Sequence, residues 1–147
     1  MKRPEVTPEI IMKAAEKTAA ETSNLSLEEK AELANAIVQV YRTYMNGFDL
    51  AKALDRNGWD DIDTMFVEDI DAMGFNVDTI HKEVCFAWVK ENNIQPPFEI
   101  GTTLDIGVIT GISDHMPAYF EVKLTGHDDA KDGYSRRLLK FEDAVSA

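Results

Sequence analysis

The spacing of apolar residues changes once along the chain, within residues 88–98. Before this stretch, apolar residues recur every three or four positions, which is the spacing of one face of a helix. After it, they alternate or form short β-branched runs separated by glycines, as in strands. Pro96 and Pro97 lie at the change, and neither continues a helix because proline lacks an N–H. The pattern predicts an α+β protein.

The part before the prolines predicts about five helices, two of them short. Ser26 and Glu29 have the spacing of a capping box, so a helix is predicted to begin between them. Gly47 and Gly74 are predicted to end the second and fourth helices, because glycine readily adopts the left-handed conformation that closes a helix. The last helix is predicted over residues 79–91.

The part after the prolines predicts four or five short strands. Residues 118–125 have the clearest alternation, with Phe120 and Val122 on one face. We expect a small antiparallel β barrel of the SH3-like type, or a strongly bent sheet, that packs on the helices or on a second copy. The predicted domains are a helical domain at residues 1–92, a rigid Pro-Pro joint at 93–97 and the barrel at 98–147.

The net charge of −12 indicates which classes of partner the chain can bind. Such a charge repels phosphate backbones and anionic lipid, so it disfavours direct binding to nucleic acid or to a membrane and favours a basic partner protein. The one cysteine, Cys85, forms no internal disulfide, and neither a signal peptide nor a long apolar run is visible. These features predict a cytoplasmic protein.

A group of carboxylates in the helical part is the first candidate site. It comprises Asp60, Asp61, Asp63, Glu68, Asp69 and Asp71. The spacing does not match a calcium-binding EF-hand loop, because no glycine occupies the sixth position. In one interpretation Asp60, Asp61 and Asp63 are helix caps, and Glu68, Asp69 and Asp71 form a solvated face. In the other, the group is a partner-binding face that imitates a phosphate backbone. A carboxylate metal site, and with it a metal-dependent hydrolase, is the last alternative.

The histidines and glycines of the chain do not form a metal-binding, phosphate-binding or catalytic pattern. His81, His115 and His127 are far apart, and with one cysteine they give no metal-ligand spacing. The glycines at 101–111 are followed by β-branched residues rather than by a phosphate-binding signature, so they predict bulges or bends. We therefore expect no metal, no cofactor and no catalytic residue, and we predict that the chain is not an enzyme.

Two arginines in the β part provide the second candidate site. Arg136 and Arg137 are adjacent positive charges in a chain of net negative charge. Either arginine, beside Tyr119 or Tyr134, could bind an anionic small molecule such as a nucleotide. The competing interpretation is that they pair with Glu121 or Glu142 across the sheet.

The order of motifs resembles the C-terminal β module of small accessory proteins from tailed phages and prophages. The similarity rests on residues 107–113 (GVITGIS), 117–122 (PAYFEV) and 136–145 (RRLLKFEDAV), preceded by the joint at 88–97 (WVKENNIQPP). It covers roughly residues 46–147 and includes no catalytic signature. The resemblance implies a virus-carried gene whose product acts in the host bacterial cytosol, where such proteins often bind and inhibit or redirect a host component.

Together these features predict an acidic phage-type binding protein that inhibits or modulates a host protein, for example a counter-defence protein acting on a defence or nucleic-acid-binding factor. A protein that sequesters a small anionic ligand is the first alternative. The thin apolar stripe of the first helix, with Ile10 and Ile11 followed mostly by alanines, and the small size of the β part both favour a homodimer.

Overall fold

The computed structural model describes residues 2–126 and 136–147 and confirms the predicted α+β class. The helices are α1 (Pro8–Ala20), α2 (Leu27–Val40), α3 (Gly47–Arg56), α4 (Thr64–Ile70) and α5 (Met73–Glu91). The strands are β1 (Gly107–Ile112), β2 (Tyr119–Leu124) and β3 (Arg136–Lys140), and a 3-10 turn follows at Phe141–Asp143. Among the described residues, no helix is long and apolar enough to cross a membrane.

The chain divides into two compact units, Met1–Glu83 and Val84–Ala147, with the division inside α5. The sequence predicts a later boundary, at the prolines, with limits of 1–92, 93–97 and 98–147. These domain limits stay a prediction. The two units are described separately.

Polar side chains begin the first four helices of the first unit. The predicted capping box of α2 is confirmed, since Ser26 and Glu29 each accept the other's backbone N–H, both at 3.1 Å. Thr7, Asn46 and Asp63 cap α1, α3 and α4, each by accepting one backbone N–H from the first turn. Each of these caps satisfies an N–H that has no partner inside the helix, so the sequence encodes the helix starts locally.

Apolar residues from all five helices form the core of the first unit. A polar pair lies within it, where the Asn76 side chain donates to Thr18 Oγ1 at 2.9 Å and the Thr18 hydroxyl donates to the Ala14 carbonyl. These bonds offset the cost of burying polar groups. The largest fully buried apolar side chains here are Leu33, Ile37, Leu50, Leu54, Ile70 and Met73.

The predicted roles of two glycines are wrong. Gly47 does not end α2, which stops at Val40; it is the first residue of α3, and its N–H donates to Asp71 Oδ1 at 2.6 Å. A Cβ at Gly47 would clash with the Val67 carbonyl oxygen and lie 2.8 Å from Asp71 Cβ. Glycine is therefore required because α3 begins against α4, not because of its backbone angle. Gly74 lies inside α5, which begins at Met73 rather than at residue 79.

The second unit contains an antiparallel sheet with strand order β1-β2-β3. The β1–β2 register shifts between Ile109 and Gly111, one of the places where glycines predicted a bulge. The predicted closed barrel is not confirmed, because the three strands form an open sheet in the described part of the chain. Two isolated bridges, Thr103–Val108 and Leu104–Ser146, add single contacts that do not extend into further strands.

A separate apolar core lies on one face of this sheet. The alternation predicted for β2 is confirmed, since Phe120 and Val122 are fully buried while Tyr119 and Glu121 are only partly buried. The Phe120 and Phe141 rings lie 4.5 Å apart between centroids. The remaining buried members are Leu104, Ile109 and Ala118, with Trp88, Val89, Ile94 and Phe98 packed partly buried against them.

Candidate functional site

Three of the six predicted acidic residues hold the backbone in place. Asp63 Oδ1 accepts the N–H of Phe66 at 2.8 Å and caps α4. Asp69 Oδ2 accepts the N–H of Ser23 at 3.0 Å, and Asp71 accepts the N–H at the start of α3. Of the three acids interpreted as helix caps, Asp63 caps α4. Asp69 and Asp71 were interpreted as part of a solvated face, but their carboxylates accept N–H groups of residues far away in the sequence.

The other three acids, Asp60, Asp61 and Glu68, are exposed. Within residues 2–126 and 136–147 their carboxylates form neither a hydrogen bond nor an ion pair. Met65 lies three residues before Glu68 on the same side of α4 and is 50% exposed. We call Asp60, Asp61, Met65 and Glu68 the acidic surface.

Asp63→Ala is expected to lower the free energy of unfolding by about 1 kcal/mol, the usual cost of losing an N-cap. Asp60→Ala is the control, because it removes the same charge from a carboxylate that has no hydrogen bond, and we expect a change below about 0.5 kcal/mol. Urea unfolding followed by far-UV circular dichroism measures both. Equal effects of the two substitutions would contradict the capping role.

The sheet register separates the residues of the second predicted site. Arg136 lies opposite Lys123, and Tyr119 lies opposite Lys140. Arg136 and Tyr119 are therefore on the same face but four positions apart along the sheet, about 13 Å at about 3.3 Å per residue. Arg137 lies opposite Val122, on the other face. The register therefore separates Arg136 from Tyr119. Tyr134 lies outside the described residues, so a site that pairs it with either arginine stays a prediction.

A pocket of about 460 Å³, which the sequence reasoning missed, lies beside α3. Its volume is within the range of ligand pockets. The connection from α2 to α3 and the exposed side of α3 line it. The lining residues are Arg42, Thr43, Tyr44, Met45, Asp49, Lys52, Ala53 and Arg56. In the sequence, the spacing of four between Lys52 and Arg56 indicates that both cations lie on one side of a helix. No pattern in the sequence indicates that Arg42 lies near them.

The pocket has an excess of positive charge in an acidic chain. Three cations and one carboxylate line it. The Lys52 ammonium lies 4.8 Å from the centroid of the Phe48 ring rather than on Asp49. Neither Arg42 nor Arg56 forms an ion pair in the part of the chain that the structure describes. Both guanidinium groups are therefore available to an anion.

Tyr44 gives the pocket an unusual aromatic residue. Its backbone has a φ of 71°, a left-handed conformation that is unfavourable for a bulky residue. Its side chain is 97% exposed, so packing does not account for its presence. The neighbouring Tyr41 differs, because burial and then the Asp78 carboxylate raise the pKa of its phenol, which stays neutral at physiological pH.

The described residues include no group of three or more His, Cys, Asp or Glu side chains arranged to hold a metal ion. Cys85 is buried. Comparisons with known proteins add no assignment: no family model, no curated protein and no solved structure matches the chain significantly. Its function is therefore inferred from the geometry above.

Proposed function

We propose that this chain is a binding protein whose acidic surface docks onto a basic surface of another protein and thereby inhibits or modulates it. The observation that carries this proposal is the set of exposed carboxylates on Asp60, Asp61 and Glu68 that have no partner in the described chain. The half-exposed Met65 lies on the same side of α4 as Glu68. Unpaired carboxylates remain available to lysines and arginines of a partner.

The local structure suits such docking. Asp63, Asp69 and Asp71 are engaged by backbone N–H groups, so they anchor the segment that carries the free carboxylates. Complementary charge mainly accelerates association and selects the partner. Met65 adds apolar contact, and methionine adapts to surfaces of varied shape because its side chain is flexible.

The resemblance to phage accessory proteins supports a host protein as the partner and the bacterial cytosol as the place of action. A defence factor or a nucleic-acid-binding factor fits best. Such a factor has a basic surface that binds phosphates, and carboxylates can imitate phosphates. A homodimer remains part of the proposal, and analytical ultracentrifugation of the purified chain tests it. No described observation favours the metal-dependent hydrolase, and the register in the sheet separates Arg136 from Tyr119.

The test is capture of partners from a bacterial lysate with matched charge variants as bait. The first variant is Asp60→Asn, Asp61→Asn and Glu68→Gln together; asparagine tolerates the left-handed backbone at Asp61, where φ is 59°. The control is Glu16→Gln, Glu28→Gln and Glu32→Gln, which makes the same change of net charge at exposed sites on α1 and α2.

We expect the first variant to capture about 10-fold less of a basic partner than the wild type does, or less still. The control variant should capture as much of that partner as the wild type. Capture by the wild type should also weaken steeply as salt is raised, because exposed charges are screened. Equal losses in both variants, or capture that salt does not change, would show that the acidic surface is not the docking site.

A further inference from the structure

The pocket beside α3 has a composition opposite to that of the acidic surface. Arg42, Lys52 and Arg56 bring three positive charges to one concavity, although the chain as a whole carries −12. Lys52 and Arg56 are four residues apart on α3, where like charges repel each other. Arg56 lies in the last turn of α3 and Arg42 just after the end of α2, so the helix dipoles offset part of this repulsion. An anionic ligand would relieve the repulsion among all three.

The non-cationic lining narrows the class of ligand. The exposed ring of Tyr44 offers a flat apolar face at the rim, which suits stacking on a planar aromatic group. Asp49 adds a carboxylate that repels anions but accepts hydrogen bonds from hydroxyl groups. The lining therefore offers cations for a phosphate, a carboxylate for hydroxyl groups and a ring for an aromatic group of one ligand.

We propose that this pocket binds a nucleoside phosphate. The Arg42 and Arg56 guanidinium groups hold the phosphate oxygens, for which their paired N–H donors are well suited. Asp49 accepts a hydrogen bond from the ribose, and the Tyr44 ring stacks on the base. Lys52, held near the Phe48 ring, adds a third positive charge to the phosphate end. This site differs from the docking surface proposed above and is tested with different variants.

The test is isothermal titration calorimetry at low ionic strength with AMP, ADP, ATP, adenosine and inorganic phosphate. We expect the nucleotides to bind and affinity to rise with the number of phosphates. Adenosine and inorganic phosphate are each expected to bind at least about 10-fold more weakly than ATP, or about 1.4 kcal/mol. Binding should weaken as salt is added.

Variants locate the site. Arg42→Ala and Arg56→Ala are each expected to weaken ATP binding about 10-fold, which is about 1.4 kcal/mol. Lys17→Ala is the matched control, because it removes one exposed positive charge from α1, and it should change affinity less than about 2-fold. Tyr44→Gly removes the ring and relieves the backbone strain, so it should weaken ATP binding without lowering the thermal midpoint.

Three results would overturn the proposal. The first is that no nucleotide binds at millimolar concentration. The second is that Arg42→Ala and Arg56→Ala bind ATP no more weakly than Lys17→Ala, which places the binding elsewhere. The third is that inorganic phosphate binds as tightly as ATP and Tyr44→Gly has no effect, which makes the pocket a simple anion site rather than a nucleotide site.

Discussion

Phe120→Ala is expected to lower the free energy of unfolding by about 3–5 kcal/mol, the usual cost of truncating a core phenylalanine. Phe120 is 0% exposed at the centre of the second unit's core. Its ring lies against the Phe141 ring, with the centroids 4.5 Å apart. Alanine would remove both that contact and the apolar area that the ring takes out of water. The described sheet has three strands, so few neighbouring side chains are available to fill the cavity.

Urea unfolding followed by tryptophan fluorescence measures this effect. The chain has two tryptophans, and a Trp59→Phe background leaves Trp88, which packs against the same core, as the reporter. Ile100→Ala is the control, since Ile100 belongs to the same unit but is 62% exposed, and it should cost less than about 0.5 kcal/mol. A loss from Phe120→Ala no larger than that of the control would show that this core does not stabilise the unit.

Gly47→Ala is expected to lower the free energy of unfolding by about 2–3 kcal/mol. The added methyl group would meet the Val67 carbonyl oxygen and lie 2.8 Å from Asp71 Cβ. Backbone atoms cannot swing aside as the end of a flexible side chain can, so α3 and α4 would have to separate. Overpacking of this kind costs about 1–3 kcal/mol. Separation would also lengthen the hydrogen bond from the Gly47 N–H to Asp71 and so add to the loss.

Gly74→Ala is the matched control, because it makes the same substitution in a helix without a clash. A Cβ at Gly74 would meet only the Tyr41 hydroxyl oxygen, at an ordinary 3.9 Å. Alanine is the better helix former, so this variant should be about 0.5–1 kcal/mol more stable than the wild type. Far-UV circular dichroism during urea unfolding measures both variants. The predicted role of Gly47 is wrong if the two substitutions shift stability in the same direction.

These stability predictions also bear on the proposed sites. Asp71 belongs to the predicted acidic group, yet its carboxylate supports the start of α3. Neutralising all six acids would therefore confuse a loss of stability with a loss of binding, which is why the partner-binding test changes Asp60, Asp61 and Glu68 alone. Gly47→Ala is unsuitable for the nucleotide test for a similar reason, because α3 carries part of the pocket.

Features encoded within a few residues were predictable from the sequence. The capping box of Ser26 and Glu29 requires residues three positions apart, and the alternation in β2 requires a period of two. The burial of Phe120 and Val122 followed from that alternation. Gly47 and Gly74 show what a local pattern does not predict. In the sequence, a glycine that permits a positive φ cannot be distinguished from one that permits two helices to approach closely.

The candidate site was less predictable, because its parts come from different segments. The six acids were predicted as one group, but Asp69 and Asp71 bind N–H groups 46 and 24 positions away, and no spacing signals that. Arg136 and Tyr119 looked like neighbours on adjacent strands until the register placed them four positions apart. Arg42 joins Lys52 and Arg56 only through the path of the chain between α2 and α3.

The sequence by itself determined the α+β class, the change from helices to strands, the helix caps and the acidic charge. Each depends on composition or on residues a few positions apart, where backbone geometry alone decides which side chains meet. Only the tertiary structure decided that the three strands of the described residues form an open sheet, which carboxylates have no partner among those residues, and where the cations meet in an acidic chain. These depend on pairings between distant segments, which result from how the helices and strands pack and not from any local pattern.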